Sequence, residues 1–303
     1  MADHPRLSFV VPTFNRPAML QEAVASCLAQ TVPVEVVVVD HGSEAATVEV
    51  CESFGDDVTV VRRKRNSGPI FAWLDGVLHT STEYVNLHFD DDLKHPRFAE
   101  ECLDLMQDDV GMVFCQARLI DGFGNPTQRV FFSHWFSGSG LYTSHAFRRV
   151  SADDLVSPCA VLYRRSHLID SLYVGELPNQ RASYHGVGPD LYLQLLAGFR
   201  YSSVGYVAKD LSYFRSHPGS ITIDAIASGR RKEFFAAYED VRRHLNDLRV
   251  ARVARSVGIL GLLDAWNLLR RRVRRIGHMC RRRISRGRAW LSTRARWMGV
   301  RRP

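Results

Sequence analysis

Three adjacent aspartates, Asp90-Asp91-Asp92, carry the sharpest chemical signal in the chain. They follow the apolar run Tyr84–Phe89 and so sit where a strand ends. Neighbouring carboxylates repel one another unless a cation neutralises them, and hard divalent ions with oxygen ligands, Mg²⁺ or Mn²⁺, suit that role. Such an ion bridges a carboxylate to a substrate diphosphate. The same run would also serve as a solvated acidic turn ahead of Pro96. Two further polar clusters follow strand-like runs: Pro12-Thr13-Phe14-Asn15-Arg16 and Asp40-His41-Gly42-Ser43. Asp40 has the chemistry to accept a hydrogen bond from a ribose or a base N–H, Phe14 to stack on a base, and Arg16 to meet a phosphate. Each also has an ordinary reading, as a turn residue, a core aromatic or a solvated helix start.

The elements that must position these clusters alternate. Leu7–Val11, Val34–Val39, Val58–Val61, Tyr84–Phe89 and Val110–Gln116 are short apolar runs, too apolar for half-exposed strands, and they read as buried strands of a parallel sheet. Between them, Pro17 opens a helix whose Leu20, Ala23, Val24, Cys27 and Leu28 share one face; Pro69–His79 and Pro96–Met106 are further helices. Strands alternating with helices imply βαβ units and a doubly wound α/β sheet, with ligands at the carboxyl ends of the strands. Segment 121–160 is rich in Gly, Ser and aromatics; it reads as irregular with short strands, either a lid or acceptor-binding region or a loop covering one edge of the core. Leu155–Tyr163, Tyr201–Val207 and Leu211–Arg215 are expected as strands and Pro189–Ala197 as a helix. From about 226 the period is helical to the end.

The charge is unevenly placed. The chain of 303 residues has a net charge of +8. From Arg230 to Pro303 there are 22 Lys/Arg against 5 Asp/Glu, which leaves the preceding residues at −9. Ala265–Pro303 holds 14 Arg and no acid, interleaved with Trp266, Ile276, Trp290 and Trp297. That is a basic amphipathic pattern suited to an anionic membrane surface; the alternative is a helical tail packed on protein. No groove-reading module accompanies the charge, so nucleic acid is not expected as a partner. Six scattered cysteines without a CxxC pair exclude a zinc site or disulfide framework. Met1–Pro5 lacks a leader pattern, and Val257–Leu263, the most apolar tail segment, is far below the roughly 20 residues that span a bilayer. A cytoplasmic location is expected, peripheral on the inner face of the plasma membrane if the tail binds there.

Taken in order, the motifs resemble family 2 glycosyltransferases with the GT-A fold. Leu7–Arg16 resembles the family's opening strand and turn, Val36–Ser43 its second strand and turn, and Arg65-Asn66-Ser67-Gly68 its Asn-x-Gly segment. Tyr84–Asp92 resembles the strand ending in the Asp-rich metal motif, Gly188–Leu195 the helix start bearing the catalytic base, and Tyr213–Ile221 the closing Arg-x-His-x-x-Ser motif. The resemblance covers roughly residues 6–224. It implies a GT-A catalytic domain over 1–225, and the shift in charge and period marks 226–303 as a basic amphipathic helical region. The resemblance implies inverting, metal-dependent transfer of a sugar from a nucleoside-diphosphate sugar to an acceptor hydroxyl; the basic tail, by suiting a membrane surface, adds the expectation of a saccharide or lipid-linked saccharide acceptor in cell-surface glycan or polysaccharide synthesis. By the same resemblance Pro12, Thr13, Phe14, Arg16, Asn66 and Gly68 line the nucleotide pocket and Asp40 binds the base. Asp90 lies against the ribose or metal, Asp91 is the principal metal ligand, Asp92 supports the site, His217 approaches the metal or diphosphate, and Asp190 is the general base.

The chain departs from the family pattern at four places. His41 stands for a frequent second Asp, Phe89 for the first Asp of many metal motifs, Gln194 for a frequent Arg, and Val187-Gly188 for the frequent Glu-Asp pair. His185 is a second candidate base. Two competing functions remain: a non-catalytic nucleotide-sugar-binding scaffold at the membrane, and a nucleotidyltransferase. The latter would want a Gly-rich phosphate loop where this chain has Pro-Thr-Phe-Asn-Arg.

Overall fold

The structure is a computed structural model that describes residues 4–151, 155–173, 177, 180, 187–220 and 227–256. Readings placed on His185 and on the tail from 257 onward lie outside the described residues. The chain divides into two compact units, Met1–Arg242 and Arg243–Pro303.

The first unit is built on a ten-stranded mixed sheet. Its strands are β1 (Leu7–Thr13), β2 (Val34–His41), β3 (Thr59–Arg63), β4 (Tyr84–Leu87), β5 (Leu93–Lys94), β6 (Val110–Ile120), β7 (Pro126–Phe131), β8 (Gly140–Thr143), β9 (Val161–Arg164) and β10 (Ser203–Arg215). Along the sheet the order is β3-β2-β1-β4-β9-β6-β10-β5, with β7 on β6 and β8 on β10. Strands β3, β2, β1 and β4 are mutually parallel. Strand β9 runs antiparallel to both β4 and β6, which turns β6 back to the direction of β4, and β10 is parallel to β6. The carboxyl ends of β1, β2, β4 and β10 therefore point the same way, bringing residues 13, 40, 90 and 217 toward one edge.

Local sequence explains the helices. Pro17 and Pro69 occupy the first turns of α1 (Pro17–Leu28) and α3 (Pro69–His79), where a missing N–H costs nothing. Helix α1 buries Leu20, Ala23, Val24 and Cys27, but Leu28, in its last turn, is 41% exposed and leaves the expected face. Helix α3 approaches β1 and β2 so closely at Gly76 that a Cβ there would lie 2.2 Å from Val10 Cγ1. Helix α2 (Ala45–Ser53) buries only Thr47 and Cys51, too thin a stripe to stand out in the sequence. The remaining helices among the described residues are α4 (Phe98–Leu103), α5 (Ser144–Val150), α6 (Arg165–Ser171), α7 (Pro189–Arg200) and α8 (Arg231–Ser256).

Three expectations differ in detail. The two strands expected within 201–215 are one strand, β10, with register shifts at Val207/Asp210 and Asp210/Ser212; the bulges carry the polar Lys209-Asp210 pair through the sheet, where Asp210 pairs with Arg118. Within 155–163, Pro158 opens a single 3-10 turn, and only Val161–Arg164 is strand, antiparallel to its neighbours. In segment 121–160, Phe132 and Trp135 are buried: their rings lie 5.5 Å apart by centroid, and Trp135 lies 5.6 Å from Phe114 and 6.1 Å from Phe147, so these aromatics extend the core.

Candidate active site

The loop after β1 is tied to the loop after β2. Asn15 adopts a left-handed φ of 55°, which its short polar side chain tolerates. Its N–H donates to Ser43 Oγ at 3.0 Å and its Oδ1 accepts Glu44 N–H at 2.8 Å. Gly42 has φ 84°, and a Cβ there would lie 3.1 Å from the Lys64 carbonyl, so the turn after β2 needs glycine to pass the 64–65 backbone. Phe14 is 44% exposed and Pro12 half-buried at this rim. Asn66 is exposed, its Oδ1 accepting Gly68 N–H at 2.8 Å just before α3.

Asp40, next to last in β2, is wholly buried. Its Oδ1 accepts Ser43 N–H at 2.9 Å; its Oδ2 has no hydrogen bond and only Arg62 Nε at 3.4 Å. An acceptor oxygen left so is costly unless a ligand donor completes it. His41 holds the end of β2 to α3: its Nε2 lies 3.2 Å from Asp75 Oδ2, and Asp75 takes two bonds from Arg63 at 2.8 Å.

The Asp-rich turn is the centre. Thr13 Oγ1 donates to Asp90 Oδ2 at 2.8 Å, and Arg16 Nη1 reaches both Asp90 Oδ1 at 2.9 Å and Asp91 Oδ2 at 2.7 Å. His217 Nε2 lies 2.9 Å from the same Asp91 oxygen, and Arg16 Nη2 donates to Gly219 O at 2.8 Å. Thr13, Arg16, Asp90, Asp91 and His217 thus meet, although they come from three distant stretches of chain. Asp92 is buried beside them; its Oδ1 accepts the Arg215 N–H at 2.9 Å, and no bond joins it to Arg16 or His217 among the described residues.

The electrostatics follow from burial and these partners. Burial and the charge of Asp91 push Asp90 above the usual carboxylate range, against the pull of Arg16 and Thr13. Burial and Asp91 likewise raise Asp92. For Asp91, burial is outweighed by the His217 hydrogen bond and the Arg16 charge, so it stays below that range as the ionised member. The same bond to Asp91 raises His217.

Among the described residues no group of three His, Cys, Asp or Glu is arranged as a complete metal cage. Asp91 and His217 are nevertheless of the donor types that Mg²⁺ or Mn²⁺ accepts. In this structure Asp91 Oδ2 and His217 Nε2 are joined to one another by a hydrogen bond of 2.9 Å, and Arg16 Nη1 shares that oxygen at 2.7 Å. Mg²⁺-type sites commonly take one or two protein ligands and complete the shell with substrate phosphates and water.

Asp190 lies in the first turn of α7, half-buried. Its Oδ1 accepts the N–H groups of Gly188 at 3.0 Å and Leu191 at 2.8 Å, and its Oδ2 accepts the Tyr238 hydroxyl at 2.9 Å. Burial raises its pKa, opposed by these three donors. No described bond joins Asp190 to the Asp90–Asp91–His217 group. Gln194, buried in the same helix, accepts Val156 N–H at 2.7 Å. Sequence reasoning missed Tyr238, whose signal is only one aromatic in a helical period, and Glu22 and Asp75, whose partners are far along the chain.

The architecture is that of GT-A glycosyltransferases. Residues 1–349 of S. aureus TarS, solved in complex with UDP-GlcNAc, superpose with a TM-score of 0.56 at 20% identity, covering 73% of this chain and 61% of that one. Among curated proteins, an uncharacterized glycosyltransferase of Rickettsia typhi is 32% identical over 122 residues, and one of Rickettsia prowazekii is 30% identical over the same length. Each match covers 39% of this chain and 38% of the relative's length. The model of the family described as glycosyl transferase family 2 matches residues 8–172, and the chain belongs to that family.

Proposed function

We propose that this chain transfers a sugar, with inversion, from a nucleoside-diphosphate sugar to a hydroxyl of a saccharide or lipid-linked saccharide, assisted by Mg²⁺ or Mn²⁺. The observation that carries this reading is the meeting of Thr13, Arg16, Asp90, Asp91 and His217 at the carboxyl edge of the sheet. TarS, which shares the fold, was solved with UDP and with UDP-GlcNAc. Asp40 Oδ2 accepts a base N–H, Phe14 stacks on the base, Pro12, Asn66 and Gly68 line the pocket, and Arg16 turns toward the diphosphate. Asp91 and His217 hold the cation, with Asp92 supporting the turn. When bound, the cation withdraws charge from the leaving diphosphate. Asp190 takes the acceptor's proton as the hydroxyl oxygen attacks the anomeric carbon and the bond from that carbon to the diphosphate oxygen breaks.

The proposed catalytic domain spans 1–225, and the basic region 226–303 docks on an anionic leaflet, placing the enzyme at the inner face of the plasma membrane for cell-envelope polysaccharide synthesis. No helix among the described residues is long and apolar enough to cross a membrane. One observation favours a second reading, a nucleotide-sugar-binding scaffold without turnover: both Asp190 oxygens already have donors. A thermal-shift screen of nucleoside diphosphates with and without Mn²⁺ tests the site. A Mn²⁺-dependent rise in Tm with one nucleotide is expected, since a ligand at 100 times its Kd stabilises by about 2.7 kcal/mol. No rise with any nucleotide, in folded protein, overturns it.

A further inference from the structure

Arg215, the last residue of β10, has a side chain only 2% exposed and spends it on three elements. Its Nε donates to the Asp91 carbonyl at 3.0 Å, its Nη1 to the Gly122 carbonyl at 3.2 Å, and its Nη2 to Glu22 Oε2 at 2.6 Å. Its own backbone N–H holds Asp92 Oδ1 at 2.9 Å. One residue therefore fixes the backbone of the Asp-rich turn at residue 91 and its side chain at residue 92. Two residues further on, His217 faces Asp91 from the same strand end. A buried guanidinium needs a counter-charge, and Glu22, on the exposed side of α1 at 54% side-chain exposure, supplies it.

We propose that the Arg215–Glu22 pair is the positioning device of this site: it sets the Asp90–Asp92 turn against His217, so that Glu22, which touches no motif residue but Arg215, tunes how firmly the turn is held and hence how well it binds a divalent ion. The link to metal binding rests on the function proposed above; the hold on the turn does not. Outer partners that fix the orientation of ligands commonly matter for metal affinity by about ten- to a hundredfold when removed. Glu22→Gln keeps the size and one acceptor oxygen but removes the charge. Arg215→Lys keeps the charge but removes the fork that spans three elements.

The test uses the full chain. Amide hydrogen exchange is followed in peptides covering 88–95 and, as controls, in peptides from β2 and α7, alongside Tm. Mn²⁺ alone is titrated by electron paramagnetic resonance. Glu22→Gln is expected to speed exchange in the turn about tenfold with the controls unchanged, because local opening there no longer works against the ion pair. Its Mn²⁺ affinity should fall by about tenfold, Arg215→Lys should fall further, and Glu22→Asp should recover both readouts. Unchanged exchange at 88–95, or equal acceleration in the controls, overturns the proposal and leaves Arg215 as general fold support. A wild-type chain that ignores Mn²⁺ overturns metal assistance instead, and the exchange arm then decides the positioning role alone.

Discussion

Replacing Tyr238 by Phe deletes one oxygen, the atom that donates to Asp190 Oδ2 at 2.9 Å. A hydrogen bond to a charged group contributes about 1.5–3 kcal/mol. The bond favours the carboxylate over the carboxylic acid, so its loss raises the Asp190 pKa further. Burial already holds that pKa up, and Leu191, Tyr238 and Gly188 are the donors opposing it, so the direction is unambiguous. A general base works only when ionised. The acid limb of the kcat profile should therefore move to higher pH, lowering kcat at a given pH on that limb by about ten- to a hundredfold, while the plateau at high pH stays near wild type. The assay is the pH dependence of nucleotide-sugar hydrolysis and transfer, with Asp190→Asn as the inactive reference. An acid limb unmoved by Tyr238→Phe, or turnover surviving in Asp190→Asn, refutes the assignment of Asp190 as base and favours the scaffold reading.

Other outcomes follow from the same geometry. Asp40→Asn should abolish the nucleotide-induced rise in Tm while leaving the free protein folded, since the replaced oxygen has no hydrogen bond in the free chain; an undiminished rise would remove Asp40 from the pocket. Arg16→Met should lose the nucleotide response and also destabilise the free chain by about 2–4 kcal/mol in urea unfolding, because the buried Asp90 and half-buried Asp91 lose a shared partner. Gly76→Ala, with its Cβ driven to 2.2 Å from Val10 Cγ1, should cost about 1–3 kcal/mol or more of stability. His167 is buried and uncharged, with its pKa lowered to about 4 by burial. The unfolded chain then binds the extra proton below about pH 6.5, so stability is lost as pH falls, by about 2 kcal/mol between pH 7 and 5. His167→Gln should flatten that slope in pH-dependent denaturation.

The first half of the fold was legible because its signals are local. Proline at the first helical turn places the start of α1 at Pro17 and of α3 at Pro69, and the β-branched run Val36–Val39 has the composition of a strand covered on both faces. Strand direction was not legible: Val161–Tyr163 reads the same parallel or antiparallel, and only its pairing with β4 and β6 decides. Neither was the continuity of β10, whose bulges conceal the alternation a strand would show. In the site, residue types announced Asp90, Asp91 and Asp40. The partners that give them their properties did not announce themselves. Glu22 lies 193 residues from Arg215, and Tyr238 lies 48 from Asp190 on another element. Departures from the family pattern have visible reasons in packing: His41 ties β2 to Asp75 on α3, and Phe89 stacks on Trp73 at 6.0 Å.

The short strand β5, only Leu93–Lys94, leaves the Asp-rich turn and finds its partner in β10 at Tyr213 and Ser212. That pairing has a consequence for synthesis. A ribosome delivers residues 90–94 long before residues 212–217, and domains take shape as the chain emerges from the amino end. Until β10 docks, Lys94 lacks Ser212, Asp92 lacks the Arg215 amide, and Asp91 lacks His217. The nascent chain thus carries three neighbouring carboxylates with part of their environment missing, and the proposed pocket is completed by β10, the last of the described strands to arrive. Under the proposed function, ligand capture consequently waits for β10. A ribosome-stalled fragment ending before Ser203 should present the β1–β4 sheet without holding nucleotide, which separates the maturation of the core from the onset of recognition.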